Sequence, residues 1–266
     1  MTAEAGNSRS SWTVTDWEHR LCCAPGQSVG RFTEAELEGL DAPVRRYLAQ
    51  AIATGTPLFQ CARLSMRGSI KLGLWLPFRA RQVLCPHDGF IWAARVAGVV
   101  VGYDQYLDGT GGMDWRLGGL LSVAHEEGPD VSRSAAGRGG AEAIWLPTAM
   151  LPRCGVRWTS QDDTHITAHY QLDGTPLDVH HSLGPDGSLR SLFFDRWGDP
   201  DKTGRWALHP FGGEITGQHT FAGLTIPSSG RMGWHFGTDR WPRGEFFRYK
   251  ITSLAPLPSA ARGHGP

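Results

Sequence analysis

The chain has 266 residues and 26 Lys+Arg set against 26 Asp+Glu, so it lacks the positive field that nucleic-acid binding draws on. No run approaches the roughly 18 apolar residues of a membrane span, and the polar N-terminus carries no signal-type apolar core. The five cysteines, with Cys22 and Cys23 adjacent and Cys61, Cys85 and Cys154 isolated, do not resemble a secreted disulfide framework; together these features predict a reduced, cytoplasmic chain.

Residues 1–30 read as a loose arm. A short helix is expected near Thr33, where Glu34 and Glu36 suit a first turn. A clearer helix runs from Asp41 to about Ala53, because Val44, Tyr47, Leu48, Ala51 and Ile52 form one apolar stripe before Gly55 and Pro57 stop it. The period then becomes two. In Arg63–Leu72, apolar Leu64, Met66, Ile70 and Leu72 alternate with polar residues, as in a half-buried strand. Strands are expected next at Phe78–Leu84, Phe90–Ala97, Val99–Leu107 and Met113–Val123, with turns at Asp88-Gly89 and Asp108-Gly109.

Ser132–Ala143 is rich in Ala and Gly and reads as a helix that can lie close against a sheet. Trp145, Pro147 and Pro152 return the chain to extended structure. Strands follow at His165–Leu172, Leu177–Leu183 and Leu189–Asp195, divided by Asp173-Gly174 and Asp186-Gly187. The last are Glu214–Phe221, Gly230–Phe236 and Phe246–Leu254. The pattern predicts a mainly β (α+β) chain: one large curved antiparallel sheet or unclosed barrel of about ten strands, with two or three helices on its concave face. Residues 31–255 would form a single β-cradle domain, and 256–266 a flexible tail. The 11 Trp and 35 Gly suit such a sheet, whose large rings fill a broad interior.

Few motifs carry chemistry. Gly26-Gln27-Ser28-Val29-Gly30 matches G-x-S-x-G, but it follows Cys-Cys-Ala-Pro near a loose terminus rather than a buried strand. Gly109, Gly111 and Gly112 lack the spacing of a dinucleotide site, and there is no P-loop, H-E-x-x-H or paired C-x-x-C. His165 and His169 share the polar face of one strand, and His180 that of the next. A four-residue loop over Asp173–Pro176 would set His169 opposite His180 as a metal pair, whereas a shorter loop would offset them. No third ligand can be named, so no metal and no cofactor is assigned.

His181 shares a face with Leu177, Val179 and Leu183, so it is either a shifted acid–base group or a core histidine with one hydrogen-bond partner. Two further clusters mix rings with ionisable groups, as a pocket for an apolar ligand with polar handles requires; strand ends entering turns have the same composition. In Gly102–Asp108, Tyr103 and Gln105 point one way and Asp104, Tyr106 and Asp108 the other. In Trp234–Trp241, His235, Asp239 and Arg240 lie between large rings. Arg138 and Glu142 are spaced i, i+4, which more often means surface pairing than catalysis.

Three stretches resemble an uncharacterised bacterial family common in actinomycetes. They are Pro43–Leu48, Ser132–Arg138 through Glu142–Pro147, and Gly230–His235 through Glu245–Tyr249. The likeness covers about Pro43 to Leu254 and implies no particular chemistry. A further likeness is architectural: Leu224-Thr225-Ile226-Pro227 leading into Gly230–Phe236 and Phe246–Leu254 resembles the closing strands of the lipoprotein-carrier (LolA-like) fold. That resemblance implies an unclosed barrel with helices plugging its concave face. Some members carry lipids outside the cytoplasm and at least one is a cofactor-free enzyme of a pigment pathway.

Three functions follow as expectations. The first is a cofactor-independent enzyme that encloses a small apolar metabolite and promotes cyclisation, isomerisation or dehydration by orientation and proton transfer. Its acid–base groups would be drawn from Asp104, His181, His209, His235 and Asp239, with Tyr103, Tyr106, Trp115, Arg133, Trp145, Trp234, Arg240 and Trp241 holding substrate. The second is an intracellular binder or carrier of a lipid-like molecule, and the third an interaction module whose cavity is only a core. Strand alternation carries the face assignments, and a one-residue slip would exchange them.

Overall fold

The structure, a computed structural model, describes residues 13–22 and 30–257. The terminal tail from residue 258 and most of the G-x-S-x-G match, Gly26 to Val29, lie outside the described residues.

Among the described residues there are four α-helices: α1 (Val14–Cys22), α2 (Ala42–Ala51), α3 (Pro129–Ala141) and the single turn α4 (Trp241–Gly244). The first meander contains β1 (Ala62–Leu72), β2 (Leu74–Cys85), β3 (Gly89–Val96), β4 (Val100–Leu107), β5 (Thr110–Leu117) and β6 (Leu121–Glu127). The second contains β7 (Arg157–Ser160), β8 (His165–Leu172), β9 (Thr175–Leu183), β10 (Leu189–Gly198), β11 (Ala207–Phe221), β12 (Leu224–Trp234) and β13 (Glu245–Pro256). All pair antiparallel in one 13-stranded sheet, ordered 6-5-4-3-2-1-13-12-11-10-9-8-7. The β1–β13 ladder joins the two meanders, and β6 and β7 stand at the two ends of the order.

Thirteen strands exceed the expected ten for two local reasons. Gly118 and Gly119 take left-handed backbone, φ 60° and 77°, and fold Met113–Val123 into a hairpin instead of one strand. The four-residue β7 pairs with β8 through Trp158 and is too short to show a period. The expected turns form where Asp-Gly stands: both residues of Asp108-Gly109 and of Asp173-Gly174 have positive φ, as a tight two-residue hairpin requires.

The sheet curls until the β4–β5 turn meets the β8–β9 turn. Tyr106 donates its hydroxyl to Asp173 Oδ2 at 2.8 Å, and the Gly109 amide donates to the same oxygen at 3.0 Å. α2 and α3 fill the concave side. α2 buries Val44, Tyr47, Leu48 and Ala51, with Pro43 in its first turn, where a missing amide costs nothing. α3 lies so close that a Cβ on Gly140 would stand 2.0 Å from Leu177 Cδ1, and one on Gly139 2.8 Å from Phe90. Its small residues are therefore what admits it.

Two expectations are corrected. Within the stretch read as an arm, residues 14–22 form α1, whose Trp17 and Leu21 are buried on the convex side against Val83, Cys85, Ile91 and Leu107. Not every helix is concave. Cys61 and Cys85, at the adjoining ends of β1 and β2, are bonded to each other in that second small core, so the chain is not fully reduced. Sequence spacing hid the pair because it depends on the β1–β2 register, which sets Ala62 against Leu84.

Candidate functional site

Away from the end closed by Tyr106 and Asp173, aromatic rings line the concave face, Phe78 and Trp92 fully buried and others only partly covered. From the first meander and β13, Phe78 and Phe247 stack at 5.1 Å, and Trp92 lies 5.8 Å from Trp115 and 6.0 Å from Phe247. From the second, Phe211 packs 5.1 Å from Trp234 and 6.1 Å from Phe246. Phe246 and Phe247, 6.5 Å apart, join the two walls. Trp115, Phe211 and Phe247 are half-buried and pack against the core, while Trp234 and Phe246 border an open cleft at the rim.

Two arginines stand between these walls. Arg138, on α3, bonds Asp104 Oδ2 at 2.6 Å and Glu142 Oε1 at 2.8 Å, with its guanidinium over the rings of Phe90 and Trp92. Burial opposes its charge, but Glu142 and Asp104 outweigh that and hold it firmly protonated. Asp104 Oδ1 also accepts from Trp115 Nε1 at 2.9 Å, and Glu142 Oε2 from Gln82 Nε2 at 2.6 Å. Every oxygen of these two carboxylates is thus engaged.

Arg196, on β10, is different. Its guanidinium sits 4.7 Å over Phe211 and 5.1 Å over Trp234. Its Nε donates to the Ser134 carbonyl at 3.2 Å, and among the described residues no carboxylate lies within 4 Å. Burial pushes this guanidinium down to about 9, and the charge of Arg138 adds to the effect. It still carries its proton at neutral pH, without a direct counter-ion.

At the rim a cleft of 690 Å³ opens between the β1–β2 turn, the loop after β10 and the loop before α4. Trp234, His235 and Phe246 line it together with Lys71, Lys202, Arg240 and Arg243. His235 has left-handed backbone, φ 61°, and its amide donates to the Pro210 carbonyl at 2.6 Å. Burial, with Arg240 nearby, lowers its imidazole, so it is neutral at pH 7. The His209 ring lies 5.7 Å away.

A family model described as a family of unknown function (DUF6544) matches residues 30–246. The chain belongs to this family. DUF6544 membership assigns it no chemistry, and no curated protein matches the chain. Three solved structures are similar in outline. A DUF1329 family protein from Desulfovibrio piger shares 12% identity at a TM-score of 0.41, covering 76% of this chain and 88% of that one. A putative outer membrane lipoprotein-sorting protein domain from Vibrio parahaemolyticus shares 10% at 0.41, covering 76% and 87%. A LolA superfamily protein from Nitrosomonas europaea shares 8% at 0.40, covering 83% and 94%.

Within this DUF6544 chain the expected site residues divide. Asp104 and Trp115 are bonded to each other beside Arg138, Trp234 lies under Arg196, and His235 lines the rim cleft with the His209 ring beside it. Tyr103 lies on the convex face near Thr13 and Val14 and shares no site with Asp104. Tyr106 and Trp145 are core residues, the latter donating to the Pro227 carbonyl at 3.2 Å. Arg133 covers Trp197 at 3.9 Å, Trp241 packs 4.9 Å from Phe236, Arg240 pairs with Asp201 at 2.5 Å, and Asp239 is exposed. His181 is buried in the core. The two-residue β8–β9 turn sets His169 against Asp178 and His180 against Thr167, so the two histidines are offset. Arg196, Phe211, Phe78 and Phe247 were not singled out by sequence, since their grouping depends on strands distant in the chain.

Proposed function

We propose that the aromatic wall beside Arg196, which opens at the rim cleft, binds an elongated apolar molecule with an anionic end, and that the protein acts as a binder or carrier of such a ligand. The observation that carries this reading is Arg196: a charged fork lying over two aromatic rings, without a carboxylate partner among the described residues, beside an apolar wall. Planar guanidinium matches carboxylate or phosphate geometry, and an anion there would offset the desolvation that burial imposes. The engaged oxygens of Asp104 and Glu142 support a fixed scaffold role for those carboxylates rather than proton transfer.

Titration by tryptophan fluorescence tests the reading, with palmitate and the matching alcohol hexadecanol as probes. Arg196→Gln should weaken palmitate binding by about 10- to 100-fold, the worth of a hydrogen bond to a charged group, and leave hexadecanol nearly unchanged. Equal affinity of the native protein for the two probes would contradict it.

A second reading, cofactor-independent catalysis, rests on His209 and the neutral His235 beside Trp234 at the rim. It requires that a bound ligand be chemically altered and that His235→Ala stop this while binding persists.

A further inference from the structure

Among the described residues, six of the nine exposed large apolar side chains sit at three hairpin tips: Leu72 and Leu74 between β1 and β2, Val99 between β3 and β4, and Leu117, Leu120 and Leu121 between β5 and β6. Because neighbouring strands run antiparallel, these three reversals share one end of the sheet. Successive tips are two strands apart, about 10 Å. Leu120 is 90% and Leu74 75% exposed. These side chains project separately from turn ends and do not form one flat patch.

Behind the tips, on the convex face, cations line up across the strands. Register sets Arg116 against Val101, Val101 against Arg95, Arg95 against Arg79, Arg79 against Arg67, and Arg67 against Lys250. All five basic residues are exposed. Asp114 pairs with Arg116 at 2.9 Å and Glu18 with Arg81 at 2.8 Å. Arg67, Arg79, Arg95 and Lys250 have no carboxylate within 4 Å among the described residues. Like charges directly opposite on adjacent strands are destabilising. In a chain of zero formal net charge, such a row costs stability unless an anionic surface faces it. A cleft of 750 Å³ opens along the row, between Arg79, Arg81, Arg95 and Arg116.

We propose that this end of the sheet docks on an anionic lipid bilayer, the tip leucines entering the headgroup region and the basic row facing the phosphates. Apolar side chains that enter the interface, flanked by several cations, are what reversible attachment to such a surface requires. A basic row would gain little from a neutral bilayer, and scattered tips little from a flat protein face. The surface lies outside the aromatic wall beside Arg196, so the proposal stands whether or not that wall binds a ligand.

Flotation with vesicles tests it, comparing phosphatidylcholine alone with an equal mixture of phosphatidylcholine and phosphatidylglycerol. The protein should float with the mixed vesicles, weakly or not at all with the neutral ones, and less as salt is raised. Arg79→Gln with Arg95→Gln should weaken binding about 30-fold, and Leu74→Ser with Leu120→Ser should weaken it at least tenfold. All four positions are exposed, and unchanged thermal melting would establish that the variants fold. Equal binding to the two vesicles, no binding, or a leucine variant that binds like the native chain would overturn the proposal. So would a dimer, seen by sedimentation velocity, that the leucine variant dissolves while the native protein ignores vesicles; that result would assign the tips to a second copy.

Discussion

His181 lies between Tyr47 and Trp158, with ring centroids 5.5 Å from each. Nδ1 donates to the Val179 carbonyl at 3.0 Å, and Nε2 is buried with no hydrogen-bond partner among the described residues. Burial therefore lowers its imidazole to about 4 from 6.5. The unfolded chain takes up this proton first, so stability is lost as pH falls below about 6.5 and the loss is complete near pH 4. Between pH 7 and pH 5, denaturant unfolding should show a loss of about 2 kcal/mol attributable to this ring. His181→Phe should show a correspondingly smaller change over the same interval; an unchanged pH dependence would mean that the ring does not titrate this way. Period-two reading put His181 on the apolar face and separated Tyr103 from Asp104, and both placements hold. Arg196 escaped because the strand was expected to stop at Asp195, one residue short, and because its rings come from β11 and β12.

The elements whose signal is local were legible. α2 was legible from its stripe, β1 from its alternation, and the hairpins from Asp-Gly pairs that accept left-handed backbone. Elements defined by partners were not. β7 exists because β8 pairs with it, and α1 because Trp17 and Leu21 find Val83 and Ile91 on the convex face. The Cys61–Cys85 bond belongs to this second kind and bears on the compartment expected from sequence, since such bonds persist mainly in oxidising surroundings. Proteolysis without reductant, followed by mass spectrometry, should recover peptides containing Cys61 and Cys85 as one linked species that separates on reduction. The bond closes a loop of 24 residues in sequence separation, so replacing both cysteines by alanine should cost about 3 kcal/mol in unfolding measurements. Separate peptides carrying free thiols would restore the reduced reading.

On the scale of the whole molecule, a single sheet of thirteen strands curls around α2 and α3, closed at one end by Tyr106 and Asp173 and lined towards the other by aromatic rings. The curl brings Arg138 and Arg196, from α3 and β10, towards rings of the first meander, the second and β13, which no local pattern in the sequence announces. The same curl leaves the β1–β2 tip at the rim, where Leu72 and Lys71 border the cleft that Trp234 and His235 line. The most direct test of the aromatic wall beside Arg196 as an anion-ended apolar site is native mass spectrometry of protein purified gently from its producing cells, with the released small molecules then analysed. The account predicts one acidic, lipid-like compound per chain, retained by the native protein and lost from Arg196→Gln. Repeatedly ligand-free native protein, or a neutral compound held equally by both proteins, would contradict it.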